Sequence, residues 1–506
     1  MIDAKIERHA RQAEQVWQKA YPLFRSVIER RKLTIGVEVG VAFGGHSETI
    51  LNCTHVSRLY GVDPYRHQSH YDDPMNLPQE EFDALCEFST RRLSKYGERY
   101  RHLRMDSCDA VHTIDGQIDF VYIDADHSYK GVNRDLCVWY GKVRDGGVIG
   151  GHDYGHVNFP GVTQAIDEFF GRLNWTVQTE GEGVWWVEKR AVAVSVFIPA
   201  YNCAGTIRQS VASVFSGNLS DGDEVLIVND GSSDNTDAVL EQLRQEWPEI
   251  RILRHVRNKG GAAARNTAVE AARHPLLFCL DSDNLLVSNS LQRLKEFLIG
   301  NGADAAAFAE IRFFKQDMNM ADKRWVLQAG PVTFADYLSG PVVPGASGNY
   351  MFTKHSWERA KGYPEFAGAL DAWGFGLRQA ATGQKICVMP ESFYYHRHGH
   401  ASYWVRDFRQ GGPSLLALQI LIPFLDQIVE ADVDYIMSRE GRYDWFENLD
   451  QRPLKLKAGD QGQSGRITHQ SLMSRLGYGK FILGRDVRKL ARRTVGAMSV
   501  LRSKLF

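Results

Sequence analysis

Two short stretches of the chain deliver carboxylates where a buried strand should end. LLFCLDSDN, residues 276 to 284, runs five apolar residues into Asp281 and Asp283, and FVYIDADHS runs from Phe120 into Asp124, Asp126 and His127. Side chains at i and i+2 of a strand point to the same side, so each pair of acids repels unless a cation or a proton intervenes. One such pair is explained by an N-cap of the next helix; two ask for chemistry. A third stretch, VEVGVAFGGHS, puts Gly40, Gly44 and Gly45 where a strand meets a helix. Glycines there let a ligand approach the backbone, and the helix start offers free N–H groups. The spacing is not GxGxxG, which argues against a dinucleotide. Asp63 ends the next strand, from which a carboxylate can take both ribose hydroxyls, and Asp106 ends the third, where an adenine amino group can be met. Taken singly, each of these acids reads as a cap or turn residue; together with the glycine turn they read as a nucleoside site.

The elements that position these residues form two series. From Thr34 to about Val187 apolar runs (IGVEVG, RLYGVD, RHLRMD, DFVYID, GGVIGG) alternate with amphipathic stretches, the pattern of a parallel sheet covered on both faces. FPGVTQAIDEFF puts Val162, Ala165, Ile166, Phe169 and Phe170 on one helical face, and NWTVQT with GVWWVEK reads as a closing hairpin. At Val192 the alternation restarts with AVSVFIPAYN, DEVLIVND, EIRILRH and LLFCLDSD. The expected fold is α/β, two consecutive doubly wound domains over residues 1–190 and 191–405, then a helical region with a basic tail over 406–506. LLALQILIPFL, 415 to 425, is about half a membrane span and reads as a buried helix.

The 506 residues exceed one hydrophobic core. Sixty Lys and Arg against 61 Asp and Glu give no electrostatic reason to bind nucleic acid. Seven scattered cysteines without a CxxC suggest neither a disulfide framework nor a zinc site, and the charged N-terminus has no signal-peptide core, so a cytoplasmic location is expected. From Arg466 to Lys504 ten basic residues stand against Asp486 alone. This is either a solvated helix or a basic amphipathic helix lying on the anionic inner face of a membrane.

Residues 30 to 190 resemble class I S-adenosylmethionine-dependent methyltransferases, on VEVGVAFGGHS, YGVDPY, IDADHSYKGVNRDL, GGVIGGHDY and PGVTQAIDEF. The resemblance implies that Glu38, Gly40, Gly44 and Asp63 hold the cofactor and that Asp106 lies beside its adenine. In the metal-dependent O-methyltransferases of this group, acids after the fourth and fifth strands bind a divalent cation; the matching residues are Asp124, His152 and Asp153. His152 departs from the usual oxygen ligand and suits manganese or zinc better than magnesium. His127 is either the general base, its ordinary pKa lying near neutrality, or a hydrogen-bonding residue that fixes its loop.

Residues 194 to 405 carry PAYN, NDGSSDNT, NKGGAAARN and LDSDN in that order and resemble family 2 glycosyltransferases of the GT-A fold. The resemblance implies a nucleotide-sugar site of Pro199, Tyr201, Asp230, Arg265 and Asp281: Tyr201 on the base, Asp230 on its edge, Arg265 near the phosphates, and the DSD element, Asp283 most directly, at a divalent cation (manganese or magnesium) that bridges the diphosphate. LDAWGFGLR aligns Asp371 with the first of the family's acidic pair, with Ala372 in place of the second, so Asp371 is the expected base. In YYHRHGHAS, His398 fits the histidine that returns to the metal, with His396 and His400 as alternatives. The expected protein is bifunctional, moving a methyl group and a sugar onto a glycan or lipid-linked glycan acceptor. The rival reading makes the first half a docking module for the second. A nucleotidyltransferase is disfavoured because PAYNCAGTIRQS lacks a lysine-containing activation loop.

Overall fold

The computed structural model describes residues 2–69, 75–321, 323–340, 342–399 and 412–458, and the chain divides into two compact units at Val192. In the first, α1 (Ile2–Trp17) and α2 (Tyr21–Arg31) precede a seven-stranded sheet: β1 (Ile35–Val39), β2 (Arg58–Val62), β3 (Tyr100–Leu103), β4 (Ile118–Ile123), β5 (Val143–Gly151), β6 (Gln178–Gly181) and β7 (Val184–Glu188). Between them run α3 (Gly45–Leu51), α4 (Gln79–Leu93), α5 (Ser107–Ala110), α6 (Tyr129–Tyr140) and α7 (Pro160–Arg172). The strand order is β3-β2-β1-β4-β5-β7-β6. The first five strands are parallel, and the closing hairpin β6–β7 is antiparallel. α7 buries the five residues whose 3.6-residue spacing foretold its inner face. The order reverses between β1 and β4, and a doubly wound sheet binds its ligand in the crevice beyond that switch point.

Asp119 fastens the opposite end of the sheet. One oxygen accepts the Thr34 and Ile35 N–H groups (2.6 and 2.9 Å) and the Thr34 hydroxyl (2.7 Å); the other accepts from Arg144 Nε at 2.6 Å. Burial opposes its charge, but these donors win and hold the carboxyl at about 2. Because the folded pKa lies below the unfolded one, this contribution is complete above about pH 4 and is lost as the pH falls through about 2. Asp119→Asn is therefore expected to cost about 2 kcal/mol at neutral pH and to flatten the acid limb of a stability titration below about pH 4.

The second unit has β8 (Val194–Ala200), β9 (Glu224–Asn229), β10 (Ile250–Arg254), β11 (Leu276–Cys279), β12 (Ala305–Phe314), β13 (Lys323–Val326), β14 (Gly330–Val332), β15 (Met351–Thr353) and β16 (Ile386–Arg397). Its sheet runs β10-β9-β8-β11-β15-β12-β16-β14, with β13 on β12. The β10-β9-β8-β11 half is parallel, and β15 enters antiparallel. The helices are α8 (Ile207–Phe215), α9 (Thr236–Glu246), α10 (Gly261–Ala271), α11 (Ser290–Gly300), α12 (Phe334–Tyr337), α13 (Pro344–Ser347), α14 (Lys354–Arg359), α15 (Asp371–Ala381), α16 (Pro413–Leu421) and α17 (Glu430–Met437). The apolar run at 415 to 425 is α16 and its 3₁₀ continuation, and Ala417, Leu418, Ile420 and Leu421 join the same core as Phe197 and Leu226 of the sheet. Trp373 is 2% exposed and packs edge-on against Phe446. Among the described residues no helix is long and apolar enough to cross a membrane. The basic tail from Arg466 to Lys504 lies outside the described residues.

Candidate functional sites

In the first unit a cavity of about 420 Å³ opens at the carboxyl ends of the parallel strands, within the range of small-molecule sites. Glu38, Gly40, Asp63, Asp106, Asp124, His127, His152 and Asp153 all line it. Gly44 stands beside it at the start of α3 with φ +73°. The cradle is built by close backbone approach: Gly40 has φ +92°, its N–H donates to the Val62 carbonyl at 2.9 Å, and the Asp124 N–H donates to the Val39 carbonyl at 2.8 Å. Asp63 accepts the Val41 and Ala42 N–H groups on one oxygen (3.0 and 3.1 Å) and the Tyr65 N–H on the other (2.8 Å). Burial pushes its carboxyl up, and those three N–H groups oppose the rise. Asp106 takes Arg66 at 3.1 Å. Seven carboxylates and two guanidiniums face the cavity, which suits a cationic ligand.

At the far end of the cavity, ligand atoms of Asp124, His152 and Asp153 lie within 4.8 Å of one another. His152 reaches Asp153 at 3.2 Å through Nδ1, while its Nε2 has no hydrogen-bond partner although the residue is 7% exposed. An orphan buried imidazole nitrogen beside two carboxylates fits a borderline cation such as manganese or zinc. Asp126, the second acid of the sequence pair, accepts the Ser128 N–H at 2.9 Å instead, the capping role. His127 Nε2 lies 3.1 Å from Asp153 and 3.4 Å from Asp124, with its ring on Phe159. Burial disfavours the Asp153 anion, but His127 and His152 hold its carboxyl well below the usual range. Sequence reasoning missed Trp17 and Tyr21, which α1 and α2 bring to this cavity; neither element carries a motif.

In the second unit the four quoted motifs meet at the ends of β8, β9 and β11. Asn202, at φ +50°, bonds Ser232 and Ser233 and so ties the PAYN turn to the NDGSSDNT turn. Pro199, last but one in β8, pairs with Val228, and Tyr201 is 37% exposed. Asp230 is nearly buried and fully engaged: its oxygens accept the Lys259 and Gly260 N–H groups at 2.9 and 2.8 Å and pair with His255 Nδ1 at 2.6 Å. It therefore anchors the NKGG turn, which opens α10 at Gly261.

One acid of the pair that opened the sequence question has partners within the chain. Arg265, expected near phosphates, sends Nη2 to Asp281 and Nη1 to Asp371, both at 2.7 Å. Asn349 donates to the second Asp281 oxygen at 3.0 Å and accepts the Asp281 N–H at 2.8 Å. Asp281 is thus answered by a guanidinium of the chain. Asp371 is 3% exposed, with its other oxygen taken by the Ala372 N–H at 2.7 Å. Each of its oxygens keeps a further lone pair, so Asp371 holds Arg265 in place without losing the capacity to accept a proton. Burial pushes its carboxyl up despite that partner.

His396, one of the alternatives, joins the acids through Asn284 Nδ2 at 3.2 Å, whereas His398 donates its N–H to the Phe314 carbonyl and sets its ring near Phe313. His400 lies outside the described residues. Arg397, which sequence reasoning passed over, fastens the turn by donating to the Asp283 carbonyl at 3.2 Å and by giving its own N–H to Asn284 Oδ1 at 3.0 Å. It stands in the same YYHRHGHAS segment, which was read only for its histidines.

Comparison with known proteins assigns the two units separately. Residues 33–154 match a family model described as a methyltransferase domain, and 195–358 match glycosyl transferase family 2. Among relatives, hyaluronan synthase of Pasteurella multocida is 43% identical over 110 residues, 22% of this chain and 11% of that protein. Chondroitin synthase of Escherichia coli is 28% identical over 206 residues, 39% of this chain and 29% of that protein. The chain therefore spans less than a third of either relative. Among solved structures, S. aureus TarS 1–349 superposes with a TM-score of 0.38 at 21% identity, covering 53% of this chain and 77% of that one. The chain thus carries an N-terminal methyltransferase domain followed by a family 2 glycosyltransferase domain.

Proposed function

We propose that the protein is a bifunctional enzyme of surface polysaccharide biosynthesis. Its second unit transfers a sugar from a nucleotide-sugar donor to a glycan acceptor with inversion, and its first transfers a methyl group from S-adenosylmethionine to a hydroxyl. The observation that carries the methyl-transfer half is the acidic cavity at the switch point, where strand-end residues converge beside a three-ligand cluster. A docking module for the second unit has no need of that cluster. The relatives that make hyaluronan and chondroitin support the polysaccharide setting for the other half.

When bound, the cofactor supplies an electrophilic methyl group. Asp63, held by three backbone N–H groups, presents its remaining lone pairs to the ribose hydroxyls, and Gly40 lets the main chain of Asp124 close in beside it. Asp124, His152 and Asp153 would hold a divalent cation, which lowers the pKa of an acceptor hydroxyl. His127, oriented by Asp153 and Asp124, can take the proton that leaves that hydroxyl. In the second unit Tyr201 offers an exposed ring to the nucleobase, and Asp283 would hold a cation that offsets the charge of the departing diphosphate. Arg265, Asn349 and Asp371 fix Asp281, and with it the turn that carries Asp283.

The test is a thermal-shift series on the full chain with S-adenosylhomocysteine and with UDP, GDP and dTDP, each with and without manganese, since a ligand of the native state raises the melting point. Stabilisation by S-adenosylhomocysteine and by one nucleotide in a metal-dependent way is the expected result. A response to the nucleotide alone would reduce the first unit to a docking module. Asp63→Ala should weaken S-adenosylhomocysteine about 10- to 100-fold, the worth of hydrogen bonds to a charged group, and leave the nucleotide response intact. Asp283→Ala should do the reverse; loss of both responses from either change would sink the two-site scheme.

A further inference from the structure

Two aromatic rings border the three-ligand cluster of the first unit, and none of the roles above uses them. Trp17, the last residue of α1, meets the His152 imidazole edge-on, with centroids 4.9 Å apart and planes at 86°. Phe159, just before α7, lies against the His127 imidazole with centroids 4.3 Å apart. These are the two histidines that pair with Asp153, at 3.2 and 3.1 Å, so one ring touches each partner of the same acid. Both rings line the cavity. Trp17 stays 37% exposed, whereas every other tryptophan among the described residues is half-buried or buried. An indole left uncovered against a cavity forgoes the burial that stabilises the others, and a ligand that covers it recovers that burial.

The chemistry of this corner selects among ligands. Asp124 and Asp153 line the cavity beside the rings, and carboxylates accept hydrogen bonds but donate none, so the occupant must bring donors. A cation held there takes further oxygen ligands. The rings ask for a flat apolar face, and the negative face of an indole attracts polarised C–H groups. A pyranose meets all three demands, with adjacent hydroxyls, C–H groups gathered on its faces, and more donors than the two of a catechol. The second unit matches glycosyl transferase family 2, so sugar rings are material that suits this chain. Neither ring lies within residues 33–154, the stretch matched by the methyltransferase model, so nothing in that match accounts for them.

We propose that Trp17 and Phe159 are the aromatic walls of the methyl-acceptor subsite and that its acceptor is a pyranose ring. The inference rests on the methyl-transfer reading given above, and its test keeps the two apart. The full chain is labelled with 5-fluorotryptophan, and loss of one fluorine resonance in Trp17→Phe identifies the signal of that residue. Methyl pyranosides of glucose, galactose, mannose, N-acetylglucosamine and glucuronic acid are then titrated in the presence of zinc and S-adenosylhomocysteine, with catechol as the aromatic diol for comparison. At least one pyranoside is expected to shift the Trp17 resonance, and catechol to shift it less at equal concentration. Trp17→Ala and Phe159→Leu should each weaken that pyranoside about 3- to 10-fold, the worth of an aromatic contact, as read by saturation transfer to its ring C–H protons. Both should change the dissociation constant of S-adenosylhomocysteine by less than about twofold. Phe159→Leu keeps apolar volume and serves as the probe if the alanine variant does not fold. A resonance moved by no pyranoside, or more by catechol, would overturn the subsite, as would equal losses for pyranoside and S-adenosylhomocysteine. Retained S-adenosylhomocysteine binding in that case leaves the cofactor reading in place, and a wild-type protein that binds neither would overturn both.

Discussion

Arg265→Met is expected to destabilise the glycosyltransferase unit by about 3–5 kcal/mol and to abolish sugar transfer, the cost of leaving buried charges without their partner. The reason lies in the arithmetic of the clamp. Two carboxylates, Asp281 and Asp371, meet one guanidinium whose side chain is 11% exposed. Without it they face each other across a low-dielectric space, and each raises the other's pKa. Asp371 already sits above its ordinary range because it is buried; in the variant it must rise further. A carboxyl whose folded pKa exceeds its unfolded value binds more protons when folded, so the stability of the variant should fall as the pH rises from about 4 towards 7 and recover on acidification. Wild type should show this slope far more weakly. Arg265→Lys should fall between, since one ammonium cannot reproduce a two-armed fork. Urea titrations across pH decide the matter: a pH-independent loss would mean that packing, not charge, holds the clamp.

Asp371→Asn separates positioning from catalysis at the same place. As a positioning residue it should change nucleotide affinity as well as turnover, because Arg265 then loses one of its two anchors to the turn that bears Asp283. Loss of turnover with unchanged nucleotide affinity would return the carboxylate to the role of base.

How much of this was legible follows from the distance over which each contact acts. Strand ends, the glycine turn and the acids that follow them are local features, and every strand-end acid read from the first half lies on one cavity. The inner face of α7 was likewise readable, because five apolar residues at helical spacing need no knowledge of their partners. The partner of Asp281 was not readable in this way. Arg265 stands 16 residues upstream on α10, and Asp371 stands 106 residues beyond that arginine. No sequence period couples them, and a repelling acid pair is satisfied equally by a metal or by a buried guanidinium. Glu38 and His46, whose Nδ1 lies 2.7 Å from that carboxylate, were hidden for a related reason. The glutamate was read as a direct cofactor ligand, and the histidine that intercepts it sits at the start of α3, where it passes for an ordinary helix residue.

Gly40→Ala should inactivate the methyltransferase unit through its backbone. The position has φ +92°, where side chains other than hydrogen are strained, and a Cβ there would lie 1.9 Å from the Asp124 carbonyl oxygen. That neighbour is main chain at the end of a central strand and cannot rotate away; β1 and β4 would have to part. Strain and overpacking each cost about 1–3 kcal/mol, so a loss of about 3 kcal/mol or more is expected in this unit. Asp124 would move with its carbonyl and take one acid away from the three-ligand cluster, so S-adenosylhomocysteine binding should vanish while the nucleotide response of the second unit persists. Gly141→Ala provides the control: this glycine closes α6 in ordinary helical geometry with nothing within 4 Å of the added carbon. It should be neutral or stabilising by up to about 1 kcal/mol. If Gly40→Ala melted and bound like that control, β1 and β4 would not approach so closely at this point, and the cradle built from their ends would have to be redrawn.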